Sequence, residues 1–462
     1  MSTGMHEDAE REMAARLLEH PAVAEAVVRG GGERVAYLVP DARHAPLLHR
    51  ACRLEAEGRL DGLSWHEPEG ALLVAQLNRT ETDFLYREIF SDNAYLRHGI
   101  TIPADGVVVD VGANIGMFSL LAAASAPGVR IVAVEPVAEL ARAAAVNAEL
   151  HGADVTVLNH GLGSDAGEVD FTYYPNNSVM SGMYAEAAAD RDVLRSYLVT
   201  GDGAQPGPQF DRLVADRMTT EPRRCAVTTL TDVVAEQKLE RIDLLKVDVE
   251  KAEADVLAGI DAATWERIDR LVVEVHDLEG RLETVLALLD SLGFETAHDR
   301  DRRLELTPCY NVYARRPAAQ TATRTAPHPA QETLTALSSA VLRRAGDEPG
   351  EAAVPDRCVW VADLSQAEGY AAPMARQQPG DAPRALTEAW TELFGAGSAR
   401  PEADFFDLGG DSLTAVRLLA RLESQLGEEV VEPDIVFTAS RFGDLATAVE
   451  AGLAKRGRAG PG

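Results

Sequence analysis

The hydrophobic pattern is clearest within residues 107–136, where two apolar runs lie on either side of a glycine-containing turn. Residues 107–111 are almost all valine, which is typical of a strand that a parallel sheet buries on both faces. The turn at residues 112–116 leads into a helix-like run at 117–124, and a second apolar run follows at 131–134. The pattern predicts a strand, a helix and a parallel strand in succession.

The same alternation of strand-like and helix-like segments continues to about residue 314, so we expect an α/β fold with a mixed, mostly parallel sheet. The remaining predicted strands are 155–158, 242–249 and 270–276, the remaining helices are 137–151 and 281–292, and an antiparallel pair at 294–297 and 310–314 closes the sheet. Residues 173–184 predict a loop that shapes the substrate mouth. Residues 201–222 are rich in glycine and proline and are expected to be mobile.

The flanking segments have a different pattern. Residues 8–19 predict a helix, and residues 24–28 and 34–39 predict two strands, which together make a small α+β piece. Residues 43–63 are charged and helical and are interpreted as a connector. Residues 317–333 are rich in alanine, proline, threonine and glutamine, a composition typical of a linker.

Composition limits the possible functions. A chain of 462 residues is too long for one ordinary core, so two or more domains are expected. The net charge of −30 repels nucleic acid and anionic membranes, and it is compatible with docking onto basic patches of other proteins. No apolar run reaches the roughly 20 residues that span a bilayer. The N-terminus lacks the apolar core of a signal peptide.

The cysteines are scattered and show no C-x-x-C spacing, so we predict reduced thiols and a cytoplasmic location. They are Cys52, Cys225, Cys309 and Cys358.

The turn after the first strand has the features of a cofactor site. Gly112 and Gly116 give G-x-x-x-G, which differs from the G-x-G-x-x-G of dinucleotide binders, and no Gly-Lys-Ser/Thr follows, so NAD and ATP are disfavoured. Asp110 stands just before the turn, and Glu135 ends the second strand, where a carboxylate can accept both ribose hydroxyls. These acids suit a cationic ligand with a free ribose, such as S-adenosylmethionine. The alternative is an ordinary βαβ turn.

Three segments carry a resemblance to a known family: 110–123 (DVGANIGMFSLLAA), 244–260 (LLKVDVEKAEADVLAGI) and 271–277 (LVVEVHD). They resemble the FkbM family of S-adenosylmethionine-dependent methyltransferases, and the similarity covers roughly residues 64–316. It implies a Rossmann-like class I methyltransferase fold. The residues predicted to bind the cofactor are Asp110, Gly112, Asn114, Gly116, Glu135, Asn159 and Glu88, with Asn159 assigned to the adenine edge.

The same resemblance places a helix at residues 80–100 over the cofactor pocket. Tyr86, Glu88 and Tyr95 are then candidates for residues that cap the pocket. The alternative is that the aromatic residues of this segment are simply helix core.

Ionisable residues cluster on two predicted strands. Lys246, Asp248 and Glu250 alternate along one strand and share a face, which predicts an ion-pair network or a site. Family members typically show Lys-x-Asp-x-Glu-Gly-Ala-Glu here, and this chain has Lys251 in place of the glycine, a departure that could crowd the turn. His276 is the first candidate for the base that a hydroxyl acceptor requires, because an imidazole with a pKa of about 6.5 works at neutral pH. Asp248 or Glu250 could orient His276 or act as the base instead.

A metal ion is the other possibility at these strands. Asp248, Glu250 and Glu274 could hold a divalent ion, but their spacing matches no clear ligand pattern. We therefore predict no metal.

The C-terminal region resembles a second family. Residues 382–455 have the length and pattern of a four-helix carrier domain, followed by a tail at 456–462. The segment 404–423 (DFFDLGGDSLTAVRLLARLE) resembles peptidyl and acyl carrier proteins, which implies that Ser412 carries 4'-phosphopantetheine. A helix start suits the negative charge of the phosphodiester. The alternative is that this serine only caps a helix.

The two remaining segments resemble halves of one subdomain. Residues 1–42 resemble the start of the small C-terminal subdomain of nonribosomal-peptide adenylation domains, and residues 334–381 resemble the rest. On this interpretation the methyltransferase is inserted into a split subdomain. Residues 367–378 contain no lysine, so we predict a remnant without adenylation activity.

These expectations describe an O-methyltransferase that acts on a hydroxyl of an aminoacyl or hydroxyacyl unit tethered to Ser412, in nonribosomal peptide or polyketide biosynthesis. The expected partners are a phosphopantetheinyl transferase, a separate loading enzyme and other synthetase modules, with no nucleic acid or membrane. The alternatives are N-methylation of a carrier-bound aminoacyl group and an inactive carrier or docking scaffold.

Overall fold

A computed structural model gives the fold of the chain. It describes residues 2–30, 34–200, 208–300, 309–317, 337–338, 340–341, 355, 357–364, 381–394, 398–401, 403–406, 408–410, 414, 418, 422, 436 and 439–449. The predicted carrier residue Ser412, the linker residues 318–333 and the lysine-free segment 367–378 lie outside the described residues.

The main elements of the described secondary structure are the following strands and α-helices. The strands are β1 (Val23–Arg29), β2 (Val35–Pro40), β3 (Ser64–His66), β4 (Val74–Gln76), β5 (Val107–Val111), β6 (Arg130–Val134), β7 (Asp154–Leu158), β8 (Gly161–Leu162), β9 (Gly167–Tyr173), β10 (Glu221–Thr228), β11 (Leu244–Val247), β12 (Arg270–His276), β13 (Glu295–Asp299), β14 (Cys309–Arg315) and β15 (Arg357–Trp360). The helices are α1 (Ser2–Leu17), α2 (Pro46–Ala56), α3 (Arg79–Tyr86), α4 (Met117–Ser125), α5 (Ala138–His151), α6 (Ala187–Thr200), α7 (Pro208–Arg217), α8 (Leu230–Glu236), α9 (Glu253–Ala258), α10 (Ala262–Trp265), α11 (Arg281–Ser291) and α12 (Asp381–Phe394). Among the described residues, no helix is both long enough and apolar enough to cross a bilayer.

A seven-stranded sheet forms the centre, in the order β13-β14-β12-β11-β5-β6-β7. The strands from β12 to β7 are parallel, whereas β14 runs antiparallel to both β12 and β13. This confirms the predicted mostly parallel, methyltransferase-like Rossmann sheet with an antiparallel closing pair. From β5 the chain continues to β6 on one side, while β11 lies on the other side. The point where the strand order reverses is where α/β folds place ligands.

The core explains why the central strands are apolar on both faces. Val108 packs in one cluster with α3, α4 and α5, whereas Val109 and Val111 pack in a second cluster with α8, α9 and α11. Successive side chains of a strand point to opposite faces. A run of valines is therefore what a strand covered on both sides requires.

The segment predicted as one helix over residues 80–100 is shorter in the structure. Helix α3 continues only through a π-helical turn, Arg87–Ser91, and then ends. Asn93 adopts a left-handed backbone with a φ of 51°, and its amide Nδ2 donates to the carbonyl of Leu96 at 3.0 Å. Asparagine tolerates this conformation and stabilises the turn through its side chain, which stops the helix.

The segment predicted to be mobile contains a helix in its described part. Helix α7 packs against the neighbouring α6, and Phe210, Val214 and Met218 form a small apolar cluster with Tyr174 and Leu194. The spacing of four residues places Phe210, Val214 and Met218 on one helix face, so burial overrides the glycine and proline content of the flanking sequence.

The two ends of the chain contribute to one small sheet, in the order β1-β2-β15. Strand β2 pairs antiparallel with β1 and parallel with β15, with Val35 opposite Arg357. Met13 and Leu17 of α1 pack beneath this sheet with Val341. The segments that resemble halves of one adenylation-type subdomain thus share a sheet, and their identity as such a remnant remains a proposal.

The described part of the C-terminal region has its own apolar core. Trp390 of α12 is fully buried and contacts Phe394, Phe405 and Phe442 edge-on or at a tilt. A helical segment at 442–449 adds Leu445 to the same core. The four-helix arrangement remains a prediction.

Candidate functional site

A large cavity opens at the carboxyl edge of the parallel strands, where β5, β6, β11 and β12 end. Helix α3 with its π turn, the loop at residues 175–184 and helix α6 complete the wall. The volume is about 1390 Å³. Small-molecule sites are usually about 300–1000 Å³. The cavity therefore has room for a cofactor and a second substrate.

Gly112 brings two loops into close contact at the cavity wall. Its φ of +75° lies in the left-handed region, and a β-carbon placed there would lie 1.8 Å from the backbone oxygen of Asp248. Only glycine fits this position without moving the backbone. The absence of a side chain at Gly112 therefore lets the loop after β5 pack directly against the loop after β11 at the cavity wall.

Glu135 lies at the end of β6 and faces the same part of the cavity. Its carboxylate accepts the backbone N–H groups of Asn114 at 2.8 Å and Val137 at 2.9 Å. Burial raises the pKa of Glu135 from 4.5 to about 7, because its cost to the charged form exceeds the effect of these two hydrogen bonds. Asn114 is held in turn by a hydrogen bond from its Nδ2 to Ser178 Oγ at 2.9 Å.

Asp110 and Lys246 form a buried pair behind the cavity wall. Asp110 is fully buried, accepts a hydrogen bond from Ser119 Oγ at 2.8 Å, and lies 3.2 Å from Lys246 Nζ. Burial alone lowers the pKa of Lys246, but Asp110 and Asp248 outweigh it and raise the pKa. Lys246 is therefore an ammonium group that donates to the Gly112 carbonyl at 2.8 Å. It holds the turn in place and is not suited to accept a proton.

Three of the residues predicted to bind the cofactor lie outside the cavity lining and support residues that do line it. Asp110, Gly116 and Asn159 are not among the described residues that line the cavity. Gly116 begins α4 with a φ of +82° against Ala144, and Asn159 Nδ2 donates to the backbone oxygens of Glu135 and Pro136 at 3.0 and 3.1 Å. Their direct contact with the cofactor stays a prediction. Gly112, Asn114, Glu135 and Glu88 do line the cavity.

The other end of the cavity collects acidic groups. Asp248, Glu250 and Glu274 meet there, and Glu88 and Tyr95 cover them from the segment after α3. Tyr95 donates its hydroxyl to Asp248 Oδ2 at 2.8 Å. Burial, followed by Asp248 and Glu88, raises the pKa of Glu274 well above its usual value.

Two of the three predicted cap residues therefore lie at the cavity. The third, Tyr86, stacks on Phe90 with ring centroids 5.1 Å apart and belongs to the core, as the alternative interpretation held.

His276 lies between two carboxylates, which is not the environment expected for a neutral base. Its Nδ1 lies 2.7 Å from Glu253 Oε1, and its Nε2 lies 3.2 Å from Glu250 Oε2. Burial lowers the pKa of His276, but the two carboxylates outweigh burial and raise the pKa well above 6.5. This environment favours the protonated ring, and the assignment of His276 as the base stays a prediction. Burial also raises the pKa of Glu250 against the opposing effect of His276, which makes Glu250 the better proton acceptor.

Glu253 is a site residue that the sequence reasoning missed. It is fully buried and binds Arg281 at 2.8 Å, the backbone N–H of Lys251 at 2.9 Å, and His276. Burial raises the pKa of Glu253, but the hydrogen bonds from His276 and Arg281 bring it below its usual value. The signal was present, because the family pattern ends in this glutamate.

Lys251 stands where the family pattern has glycine, and the backbone shows why. Its φ is 72°, in the left-handed region that favours glycine. Its ammonium group forms an ion pair with Asp190 of α6, which is buried and also accepts the hydroxyl of Tyr174 at 2.9 Å. The lysine therefore ties the covering helix α6 to the loop that carries Glu250.

The carrier region meets the mouth of the cavity. Phe406 and Gly410 are among the residues that line it. The aliphatic part of Arg79, at the start of α3, packs against Gly409, so that Arg79 Cδ lies 3.1 Å from where a β-carbon on Gly409 would be. This loop leads directly into Ser412 in the sequence.

The cavity fits the predicted cofactor. Gly112 and Glu135 both line it, and Glu135 offers a carboxylate that could accept the ribose hydroxyls. The acidic groups beyond suit the positive sulfonium of S-adenosylmethionine. The donor set and the available space agree with the ligand that the sequence predicts.

Two family models match the chain. The model described as "Methyltransferase FkbM domain" matches residues 110–296, and the model described as "Phosphopantetheine attachment site" matches residues 384–449. The second match includes Ser412.

Curated relatives match either most of the chain or one part of it. The chain is 37% identical over 445 residues to the AMB antimetabolite synthetase AmbE of Pseudomonas aeruginosa, covering 88% of this chain and 21% of that protein. It is 42% identical over 252 residues to the 31-O-demethyl-FK506 methyltransferase FkbM of Streptomyces tacrolimicus, covering 54% of this chain and 96% of that protein. A C-terminal stretch of 80 residues is 41% identical to enterobactin synthase component F of Escherichia coli, covering 16% of this chain and 6% of that protein. The chain therefore spans about a fifth of the length of AmbE.

Proposed function

The chain belongs to the FkbM family of S-adenosylmethionine-dependent methyltransferases, and from this premise we propose that it methylates a hydroxyl group on an acyl or aminoacyl unit carried by its own carrier domain. The observation that carries the proposal is the position of Phe406 and Gly410. These residues belong to the carrier region and line the same cavity as Gly112 and Glu135. A unit attached at Ser412 would enter the cavity from this side.

Attachment of the substrate to the carrier lowers the affinity that the cavity itself must provide. A tethered substrate is present at an effective concentration of roughly millimolar, so weak contacts are sufficient to hold it. The polar wall near Asp248 and Glu250 then orients the acceptor, and the apolar remainder excludes water.

The cofactor supplies a methyl group on a positively charged sulfur. The residues of this chain bind the cofactor, accept a proton from the acceptor and position the group that accepts the proton. Glu135 binds the ribose hydroxyls, and the backbone at Gly112 holds the adjacent part of the cofactor. Glu250 accepts the proton that the acceptor hydroxyl loses, because its buried carboxylate is a stronger base than an exposed one. His276, fixed by Glu253, is a positioning residue for Glu250.

The acidic end of the cavity favours a second candidate, an acceptor with an amino group. Glu88, Asp248, Glu250 and Glu274 together can bind an ammonium group of an aminoacyl unit. This fits both O-methylation of a hydroxyaminoacyl unit and N-methylation. Acceptors that carry only a hydroxyl or only an amine distinguish the two, because fragmentation in the mass spectrometer locates the added methyl.

The proposed setting is an assembly line for a nonribosomal peptide or a related natural product. The names of AmbE and of enterobactin synthase component F support this setting. In it, a phosphopantetheinyl transferase attaches the arm, and a separate enzyme loads the acyl unit. The small sheet that contains β15 is proposed to be an adenylation-type remnant without activity of its own.

The test compares the full chain with the Ser412→Ala variant. After pantetheinylation and loading with candidate hydroxyacyl and aminoacyl groups, the wild-type chain should gain one methyl mass in the presence of S-adenosylmethionine. The Ser412→Ala variant should not be loaded or methylated, and its affinity for S-adenosylmethionine should be unchanged by calorimetry, because cofactor binding is assigned to residues of the methyltransferase region such as Gly112 and Glu135. Equal methylation of a free acyl-pantetheine by both proteins, with no gain from tethering, would contradict the proposal.

A further inference from the structure

The acidic end of the cavity contains a set of side chains with mixed donor atoms. Glu274 and His276 are two residues apart on β12 and lie on the same face, and His276 is opposite Cys309 of β14 in the antiparallel ladder. The nitrogen, sulfur and oxygen donor atoms of the three side chains all lie within 4.8 Å of one another. All three residues line the cavity, and Glu274 and Cys309 are buried.

We propose that Glu274, His276 and Cys309 bind a divalent metal ion, with Zn²⁺ as the first candidate. Thiolate and imidazole ligands select zinc over magnesium and calcium, which prefer oxygen. Three protein ligands and one open position are typical of catalytic zinc sites. The open position here faces the cavity.

The residue behind His276 supports this assignment. A metal-binding histidine nearly always gives its second ring nitrogen to a carboxylate or a carbonyl, which fixes the ring and its tautomer. Nδ1 of His276 lies 2.7 Å from Glu253, and Glu253 is itself held by Arg281 at 2.8 Å. Nε2 of His276, which lies 3.2 Å from Glu250 Oε2 at the cavity, is then the nitrogen left for the ion, which would take the place of the proton that Nε2 shares with Glu250.

The carboxyl groups at this end of the cavity also favour a bound cation. Among the described residues, four carboxyl groups line this end of the cavity, and two of them have a cationic neighbour, Lys246 at 3.5 Å from Asp248 and His276 at 3.2 Å from Glu250. The four carboxyl groups belong to Glu88, Asp248, Glu250 and Glu274. Lys246 is shared with Asp110. Buried carboxylates are costly unless a cation compensates them.

The geometry needs only a small adjustment. Ligand atoms around a tetrahedral zinc ion are roughly 3.5 Å apart, given bonds of about 2.0–2.3 Å. The donor atoms of Glu274, His276 and Cys309 lie within 4.8 Å of one another, so binding of an ion would draw the three side chains closer together. An ion held there would lower the pKa of a hydroxyl or water bound at its open position. The binding site itself does not depend on which acceptor the enzyme methylates.

The test uses Co²⁺ as a spectroscopic substitute for zinc. The reduced, metal-free full chain should bind one Co²⁺ with a thiolate-to-cobalt charge-transfer band in the near ultraviolet, and one equivalent of Zn²⁺ should remove the band. Cys309→Ser should lose the band. Cys52→Ser, which changes a buried thiol outside the cavity, should keep it.

A second measurement protects the test against misfolding. Every variant is first titrated with S-adenosylmethionine, and only variants that bind it are compared. Glu253→Gln should weaken Zn²⁺ binding by about 10–100-fold, the usual effect of removing such a supporting carboxylate. The absence of a charge-transfer band in the wild-type chain, or its persistence in a folded Cys309→Ser variant, would overturn the proposal.

Discussion

Glu135 makes cofactor affinity depend on pH. Its pKa is raised to about 7 mainly by burial, with Asp110 adding to the shift and Lys246 and the backbone N–H groups of Val137 and Asn114 opposing it. Ribose hydroxyls donate to the ionised carboxylate. We expect the affinity for S-adenosylmethionine to fall about tenfold per pH unit as the pH drops below about 7. Calorimetric titration across this range measures it.

The Glu135→Gln variant is the control for this prediction. It should bind the cofactor weakly and with little dependence on pH. Stability should change in the opposite direction, because a raised carboxyl pKa means that the folded chain holds a proton that the unfolded chain has released. This contribution of Glu135 is complete below about pH 4.5 and is lost as the pH rises to about 7. The same pH dependence of binding in both proteins would exclude Glu135 as its source.

Helix α6 is held over the cavity by a single lysine. Lys251→Gly should relieve the left-handed backbone, which costs roughly 1–2 kcal/mol for a non-glycine residue. It also removes the partner of buried Asp190, and breaking a buried pair costs about 3–5 kcal/mol. The net loss of about 2 kcal/mol should increase hydrogen exchange in α6 more than tenfold. Hydrogen-exchange mass spectrometry of the full chain measures this.

Two further variants separate the causes. Lys251→Met keeps the strained backbone and the aliphatic stem but removes the charge, so it should open α6 at least as much as Lys251→Gly. Asp190→Asn should act through the same pair and add little to either variant. Unchanged exchange in α6 in Lys251→Met would refute the tether.

Two elements near the cavity have a secondary structure that differs from what their composition predicts. The stretch at 201–222 has a loop-like composition, yet its described part contains α7, because Phe210 and Val214 bury one face of that helix. The segment over the pocket has a helix-like composition, yet it ends at Ser91, because the backbone at Asn93 turns left-handed. In both cases the local preference of the chain was weaker than a contact or a turn made in three dimensions.

The methyltransferase and carrier regions meet at Arg79 and Gly409. Arg79→Ala removes the packed aliphatic chain of the arginine, so it should weaken docking by about 1 kcal/mol and slow methylation of a tethered substrate roughly fivefold. Methylation of a free acyl-pantetheine should not change, because Arg79 is not among the described residues that line the cavity. Single-turnover kinetics of both substrates measure the difference.

A matched surface variant completes this experiment. Arg224 is more than half exposed and pairs only with Glu168 and Asp170 on the small sheet formed by β9 and β10. Arg224→Ala should leave both rates unchanged, since exposed ion pairs contribute little. An equal slowing of tethered and free substrate by Arg79→Ala would mean that the contact does not serve docking.

The order of the whole chain also has a structural consequence. Strand β15 returns more than three hundred residues after β2 to pair with it, so the methyltransferase lies between two segments of one small sheet. Such insertions are tolerated because the termini of a domain usually lie at its surface and are often close together.

The sequence by itself determined the central sheet, the glycine turn, Glu135 and the two family resemblances. These features depend on local patterns, namely runs of β-branched residues, the spacing within a turn and short motifs. The conformational preferences of the local backbone are sufficient to interpret them. The ionisable residues Asp248, Glu250 and His276 also came together, because the carboxyl ends of parallel strands meet at one edge of the sheet.

Only the tertiary structure decided how these groups are used. It paired Asp110 with Lys246 at the cavity wall and set His276 between two carboxylates. It also joined Lys251 to Asp190 and brought Cys309 opposite His276. Each of these contacts joins segments that are distant in the sequence or depends on the burial of both partners. Burial and distant pairing set the charge state of an ionisable group, and neither follows from its neighbours along the chain.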